Sequence, residues 1–417
     1  MVEEVCSLKE ARKKVLACVR AQSYEVIEIS QACGLVIAEE IRAPKDIPPC
    51  EISLRDGYAV SAGDLSGGGS TKALRLTGAI TTGDKTDISL TPGSAIKITT
   101  GAPLPGLADS VIPYEDVEVR GDLVFPMKPV IKGQYVLRPG SLATRETIVA
   151  RRGDILVPTT IASIVDTGKA FLKVIKKPRV GILVTGDEVV EPDYHSEDMS
   201  VFCSNRYLLS ALVKNYGGES IALGIAPDDE EILASILEME HLCDCIVISG
   251  GTGKGEHDCV KNAWRRLGIE IIFDGVLMHP AKGTAFGYKD GVLFFSLPGN
   301  PLASGISFVQ LVSVALLKIS NKEFESPPEL VATLAQSLPA GKDGTPRFFW
   351  GRAVFQESEL TVWPLGLEKT DVLSQISKAN CIINVEVGAK NLPQGSCVAV
   401  HPVCLSSNLG YLTLFGQ

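Results

Sequence analysis

From Ser7 to about Ile41 apolar positions recur at helical spacing, at Val15, Leu16 and Val19, with Val26 and Ile27 leading into a second short run. The Pro-rich stretch Ala43-Pro44-Lys45-Asp46-Ile47-Pro48-Pro49 ends that pattern, because proline fixes φ and has no amide hydrogen to donate. Residues 56–138 read as short strands (YAVSAGD, LRLTGAI, AIKITTGAPLP, SVIPYEDVEV) separated by Gly, Pro and Asp, which predicts an inserted β domain. The segment from Arg151 to Lys173 returns to the first unit, and Pro178 marks the next boundary.

From Arg179 the period alternates. Strand-like RVGILVTG, SIALGIA and DCIVISGG are interleaved with helix-like NRYLLSALVKNYGG, DDEEILASILEME and DCVKNAWRRLG. That order predicts a parallel, doubly wound α/β sheet. The apolar run LASGISFVQLVSVALLKIS closes the unit as a buried helix, and Pro327-Pro328 serves as a linker. The remainder (VATLAQSL, FFWGRAVF, LTVWPLG, CIINVEV, SCVAVHPV) has no helical period and predicts a small β-barrel or sandwich. The expected domains are 1–44 with 139–175, helical or mixed; 45–138, the inserted β domain; 176–326, the α/β domain; and 327–417, the barrel.

Composition narrows the function. The 417 residues, 45% hydrophobic and 21% charged, exclude wholesale disorder. With 40 Lys+Arg against 49 Asp+Glu the net charge is -9, which excludes a generally basic nucleic-acid binder but leaves room for a local anion pocket. No run reaches the ~20 apolar residues that span a bilayer, and the acidic, Lys/Arg-studded N-terminus does not fit a secretory signal. Neither nucleic acid nor membrane is therefore an expected partner. The eleven cysteines follow no repeated spacing, so the reduced cytoplasm is the expected compartment, and the thiols read as small core residues more readily than as zinc ligands.

Several segments carry chemistry. Ser249-Gly250-Gly251-Thr252-Gly253-Lys254-Gly255 follows an apolar strand and precedes a helix, where bare backbone amides and the helix N-terminus favour an anion. It is not a P-loop, since Gly255 follows the lysine; a tight structural turn is the alternative. Carboxylates recur at strand ends: Asp187 and Glu188, Asp228 and Asp229, and Asp258. In a doubly wound sheet such residues converge on the ligand crevice, and hard oxygen ligands suit Mg²⁺ beside a phosphate. Helix capping is the competing role for Asp228 and Asp229. Leu297-Pro298-Gly299-Asn300-Pro301 is either a ligand-facing or a purely structural turn. In Met278-His279-Pro280-Ala281-Lys282-Gly283, His279 or Lys282 either meets an anion or is simply solvated. Arg55-Asp56-Gly57-Tyr58-Ala59 and Thr100-Gly101-Ala102-Pro103 pair polar side chains with glycine turns.

Taken in order, the Asp-Gly-Tyr-Ala segment, TGAPLP, GILVTGDEV, SNRYLLSAL, SGGTGKGEHD, SLPGNPLAS and the terminal SxxSxAN run resemble the molybdopterin molybdenumtransferase family, whose relatives include the E domain of gephyrin. The resemblance covers nearly the whole chain. It implies an α/β multidomain fold, with a doubly wound parallel-sheet molybdopterin-binding domain, an inserted β domain, a helical or mixed N-terminal unit and a C-terminal β-barrel. It also implies an elongated homodimer in the cytoplasm. The implied reaction takes adenylylated molybdopterin and molybdate, with Mg²⁺, and yields molybdenum cofactor and AMP. Molybdopterin adenylyltransferase and molybdoenzyme apoproteins are the implied partners.

Carried over by motif, Asp56, Thr100, Glu188, Asp228 and Asp258 fall on catalytic positions, Asp56 and Thr100 acting from the opposite subunit. Ser249, Gly250, Gly251, Thr252, Gly253, Pro298, Gly299 and Asn300 would bind the pterin substrate, and Glu188 and Asp228 the Mg²⁺. Lys282, His279, Arg347, Ser374 and Ser377 fall on or near molybdate contacts. The chain also departs from the family. Arg55 replaces a methionine, Gly140-Ser141-Leu142 replaces an acidic turn, and Cys203 takes the acidic place of an Asp-Ser-Asn run. His279 and Gly275 stand where lysines are usual. The retained carboxylates and glycine loop favour an active metal-inserting enzyme. The losses at Leu142, Gly275 and His279 keep open a diverged paralogue that binds the pterin without inserting metal, and a scaffold role rests on analogy alone.

Overall fold

The computed structural model describes residues 5–20, 23–66, 72–84, 88–193, 200–251, 258–321, 326–339, 345–356, 359–367, 372–386 and 391–403. The chain forms two compact units, one of Met1–Glu25, Gly34–Val36 and Val174–Gln417, the other of Val26–Cys33 and Ile37–Lys173.

The second unit is built on a six-stranded sheet in the order Ser110–Pro113, Gly57–Val60, Ser94–Ile98, Leu74–Ile80, Leu123–Pro126, Val117–Arg120. Alternate residues of Gly57–Val60 point to opposite faces, so Ala59 joins Ile80, Ile96 and Val111 on one side while Tyr58 and Val60 join Leu74, Ile112 and Val124 on the other. Both faces are buried. This is why the strand reads as apolar throughout.

The first unit holds the α/β sheet: β1 (Arg179–Thr185), α1 (Ser204–Asn215), β2 (Glu219–Ala226), α2 (Glu230–Leu237), β3 (Cys245–Ser249), α3 (Cys259–Arg266), β4 (Glu270–Asp274), β5 (Ala285–Lys289), β6 (Val292–Leu297) and α4 (Pro301–Ile319). The strands lie in the order β2-β1-β3-β6-β5-β4. Strands β2, β1, β3 and β6 are parallel, but β5 runs antiparallel to both its neighbours. The sheet is thus mixed where the alternating pattern predicted it parallel. The reason is local: Asp290 and Gly291, both at positive φ (49° and 102°), make a two-residue hairpin turn that folds β5 straight back onto β6.

Helices cover both faces. Ile182, Val247 and Phe295 pack with Leu209 and Phe308, while Leu183, Ile248 and Phe294 pack with Leu233, Val260 and Trp264. Helix α4 is long and apolar enough to cross a membrane, yet 83% of its apolar window is buried inside the protein, so it is a core helix. A π-helical turn, Phe308–Val312, interrupts it, and there the buried Gln310 offers its carbonyl to Arg12 Nε at 3.0 Å. Arg12 belongs to the N-terminal helix Leu8–Cys18, whose Ala11 and Val15 join the same core.

That helix is shorter than the helical pattern through Ile41 predicts: Tyr24–Glu28 is a strand, followed by a single 3₁₀ turn at Ile29–Gln31. The Tyr, Val and Ile of YEVIE prefer extended backbone, and five residues do not sustain a helix. The C-terminal part closes into a five-stranded barrel in the order Leu330–Leu334, Glu359–Pro364, Arg347–Gln356, Cys381–Val385, Cys397–Pro402. Trp350 ties it to the α/β core, donating from Nε1 to Leu302 O at 3.1 Å.

Candidate functional site

A cleft of about 410 Å³ opens at the carboxyl ends of β1, β3 and β6. This is the place where a doubly wound sheet leaves room for a ligand, because the connections leave the central strands toward opposite faces.

One wall is acidic. Thr185, the last residue of β1, donates from Oγ1 to Asp228 Oδ1 at 2.7 Å. Cys259 Sγ lies 3.6 Å from the same oxygen, and burial, reinforced by Asp228, pushes its thiol up to about 11. Cys259 is therefore a neutral donor to the aspartate. The adjacent Asp229 is spent on capping α2, accepting from Glu231 N at 2.8 Å and Ile232 N at 3.0 Å. Glu188 also lines the cleft; a Cβ added at Gly186 would lie 3.0 Å from its carboxylate, so the glycine leaves the room that this carboxylate occupies.

The centre is bare backbone. Gly250 has a φ of +106°, and a Cβ there would stand 2.1 Å from Thr185 O. Only glycine permits the end of β3 to approach β1 so closely. Gly251 also lines the cleft, whereas Thr252 and Gly253 lie outside the described residues.

The floor is a buried amide. Asn205, in the first turn of α1 and 6% exposed, donates from Nδ2 to Ser249 Oγ and to Gly299 O, each at 2.7 Å. With both amide hydrogens engaged, the group cannot flip, and its Oδ1 is buried without a partner among the described residues. The amide is thus held as a fixed link between the end of β3 and the turn after β6. Ser249 Oγ in turn reaches Pro298 O at 3.0 Å. Asn300 instead caps α4, accepting from Leu302 N at 3.0 Å and Ala303 N at 3.2 Å, and Pro301 occupies the first helical position.

The structure gathers Glu188, Asp228, Ser249, Gly250, Gly251 and Gly299 in this cleft. Asp258 is elsewhere: 2% exposed, it caps α3 through Lys261 N at 3.0 Å and pairs with Lys261 Nζ at 3.0 Å. Burial pushes its carboxyl up, against the opposing pull of the Lys261 bonds. Lys261 also pairs with Asp274 at 2.5 Å. His279 and Arg347 are joined through backbone, His279 N donating to Pro346 O and Phe348 N to His279 O, and both His279 and Lys282 are exposed. Ser374 and Ser377 are exposed in and just after the short helix Val372–Ile376. In the second unit, Asp56 Oδ1 accepts from Thr100 N at 2.7 Å and Thr100 Oγ1 at 3.1 Å, which brings those two residues together.

Sequence reading passed over Thr185, Phe202, Asn205 and Cys259, all of which line the cleft. Asn205 and Cys259 each open a helix, where a polar or small residue reads as capping chemistry. The usable signal is that each opens the helix that follows a central strand of a doubly wound pattern, the helix end that faces the ligand crevice.

Three family models match in succession: the MoeA N-terminal region (domain I and II) over residues 6–168, a probable molybdopterin binding domain over 181–318, and the MoeA C-terminal region (domain IV) over 331–403. The chain is 28% identical over 402 residues to the molybdopterin molybdenumtransferase of Haemophilus influenzae, covering 95% of this chain and 98% of that protein. It is equally 28% identical over 406 residues to molybdopterin molybdenumtransferase 2 of Mycobacterium tuberculosis, covering 94% and 98%. The crystal structure of the molybdopterin biosynthesis moeA protein from Pyrococcus horikosii matches with a TM-score of 0.82 at 28% identity, over 96% of this chain and 99% of that one.

Proposed function

The chain belongs to the molybdopterin molybdenumtransferase family, and from that premise we propose that it inserts molybdate into adenylylated molybdopterin and releases AMP. The single observation that carries this reading is the cleft itself, where two carboxylates, a glycine-only backbone and an oriented buried amide meet at the ends of three parallel strands.

Each part answers to a part of the substrate. The backbone at Gly250 and Gly251 lets the diphosphate approach without side-chain obstruction. Asn205 ties Ser249 to Gly299 and so keeps the ends of β3 and β6 at a fixed spacing around the substrate. Asp228, held by Thr185 and Cys259, keeps its carboxylate fixed on the acidic wall. Asp258 holds the start of α3, and with it Cys259, against that wall.

Mg²⁺ suits this donor set. Two carboxylates line the cleft, and Mg²⁺ is ordinarily held by one or two carboxylates together with substrate phosphates. Glu188 and Asp228 would hold it, and when bound it neutralises the charge of the phosphoanhydride being cleaved. Lys282, His279, Arg347, Ser374 and Ser377 receive the molybdate in this reading, and Asp56 with Thr100 acts from the second subunit of a homodimer. We place the reaction in the cytoplasm, between molybdopterin adenylyltransferase and the apoproteins that take up the cofactor.

The test incubates purified protein with adenylylated molybdopterin, molybdate and Mg²⁺. AMP release, with transfer of active cofactor to an apo-molybdoenzyme, is the expected result. Binding of the nucleotide without AMP release would instead identify the diverged binding protein to which the exposed Leu142 and His279 point. No binding at all would overturn both.

A further inference from the structure

Phe202 is the one large aromatic side chain lining the cleft among the described residues, and it is left 55% exposed. Its ring is therefore open to a ligand that enters the cleft, and what it offers there is a flat apolar π face. The ring has no aromatic or cationic partner among the described residues, whereas the nearby Tyr207 ring is already covered by Arg206 at 4.8 Å.

The backbone around Phe202 is firmly tied. Val201–Phe202 pairs in parallel with Val189–Val190; Val201 N donates to Glu188 O and Cys203 N to Val190 O, each at 2.8 Å. The Phe202 backbone is thereby held beside Glu188 on one side and the start of α1 on the other. The cleft lining differs in depth and chemistry: Ser249 is 0% and Asn205 6% exposed, polar and buried, whereas the Phe202 ring is open to solvent.

We propose that Phe202 stacks on the adenine ring of the adenylylated substrate and sets the enzyme's preference for the nucleotide over free molybdopterin. This rests on the function proposed above. The substrate carries two flat heterocycles joined through the diphosphate. The pterin stays with the enzyme's product and belongs at the buried polar part of the cleft beside Ser249 and Asn205. The adenine departs with AMP and belongs at the solvent-open end, where a π face is available to it. Gly250, Gly251 and the two carboxylates line the same cleft, and in this reading they face the phosphoanhydride that joins the two rings.

The experiment titrates the full chain, with Mg²⁺ present, separately with AMP and with molybdopterin lacking the adenylyl group. Loss of one base–aromatic stack weakens binding roughly 5- to 100-fold, so Phe202→Ala should weaken AMP by that factor and change molybdopterin affinity less than about twofold. Phe202→Tyr should restore AMP binding. Phe202→Leu, which keeps apolar bulk but has no π face, should behave like Phe202→Ala. Retained molybdopterin affinity in each variant shows that the cleft is intact. The inference is overturned by unchanged AMP affinity in Phe202→Ala, by equal weakening of both ligands (the ring then holding the pterin), by rescue with leucine, or by no AMP binding in the natural chain. If the natural chain fails to bind molybdopterin as well, the proposed function falls; if it inserts molybdate normally while Phe202→Ala binds AMP unchanged, only this inference does.

Discussion

Two neighbouring aspartates show how finely role is divided at the residue scale. Asp228 and Asp229 carry the same charge and precede the same helix, and sequence offers capping and ligand binding to either. The backbone decides: α2 begins so that Asp229 meets the amides of Glu231 and Ile232, while Asp228 is turned onto Thr185 and into the cleft. Asp229→Ala should therefore cost about 1 kcal/mol of stability in urea unfolding and leave AMP release intact. Asp228→Asn keeps Oδ1 for its two donors but loses the charge, and should cut the AMP-release rate at least about tenfold with little loss of stability. Reversed effects would reassign the pair. Asp258 shows the same principle, since a strand-end carboxylate proves to be a buried cap paired with Lys261.

Among the elements, the N-terminal helix and the barrel meet α4 through a buried polar cluster that gives the fold a pH dependence. His401, on the last barrel strand and 1% exposed, reaches Pro328 O from Nδ1 at 3.3 Å. Burial pushes its imidazole down to about 4, and the Arg12 guanidinium adds to the shift. An unfolded histidine titrates near 6.5, so below that pH the unfolded chain takes up a proton that the folded chain refuses. The stability contributed by neutral His401 is therefore complete above pH 6.5 and is lost as pH falls toward 4, by a total of about 3 kcal/mol. Urea unfolding followed by barrel-tryptophan fluorescence should lose less stability across that window in His401→Gln than in the natural chain. An unchanged slope would exclude His401 as its source. Most of these elements were legible beforehand because strand and helix periods are local. The antiparallel β5 and the strand at Tyr24–Glu28 were not, because a two-residue turn and a five-residue run are too short to register against that period.

At the scale of the whole molecule the proposed homodimer makes a demanding prediction. Apolar side chains of the second unit stand in solvent, with Val26 68% and Phe171 61% exposed, and burial against a second copy would remove such surface from water. Sedimentation equilibrium should give twice the chain mass. Asp56→Ala and Glu188→Gln, each inactive alone, should regain about a quarter of natural activity when mixed and allowed to exchange, because half the dimers then carry one intact site of two. A monomer, or exchange without recovery, would exclude Asp56 from action across subunits. The sequence by itself determined the α/β pattern, the barrel, the glycine loop and the carboxylates at strand ends, since each is written in neighbouring residues. Tertiary structure alone decided which of them share a site. Thr185, Asn205, Ser249, Asp228 and Gly299 are far apart in the chain and come together because β2, β1, β3 and β6 pair in parallel. Strand pairing is a long-range contact that no local period encodes; the fixed amide follows from that pairing, and the place of Phe202 from its own pairing with Val189–Val190.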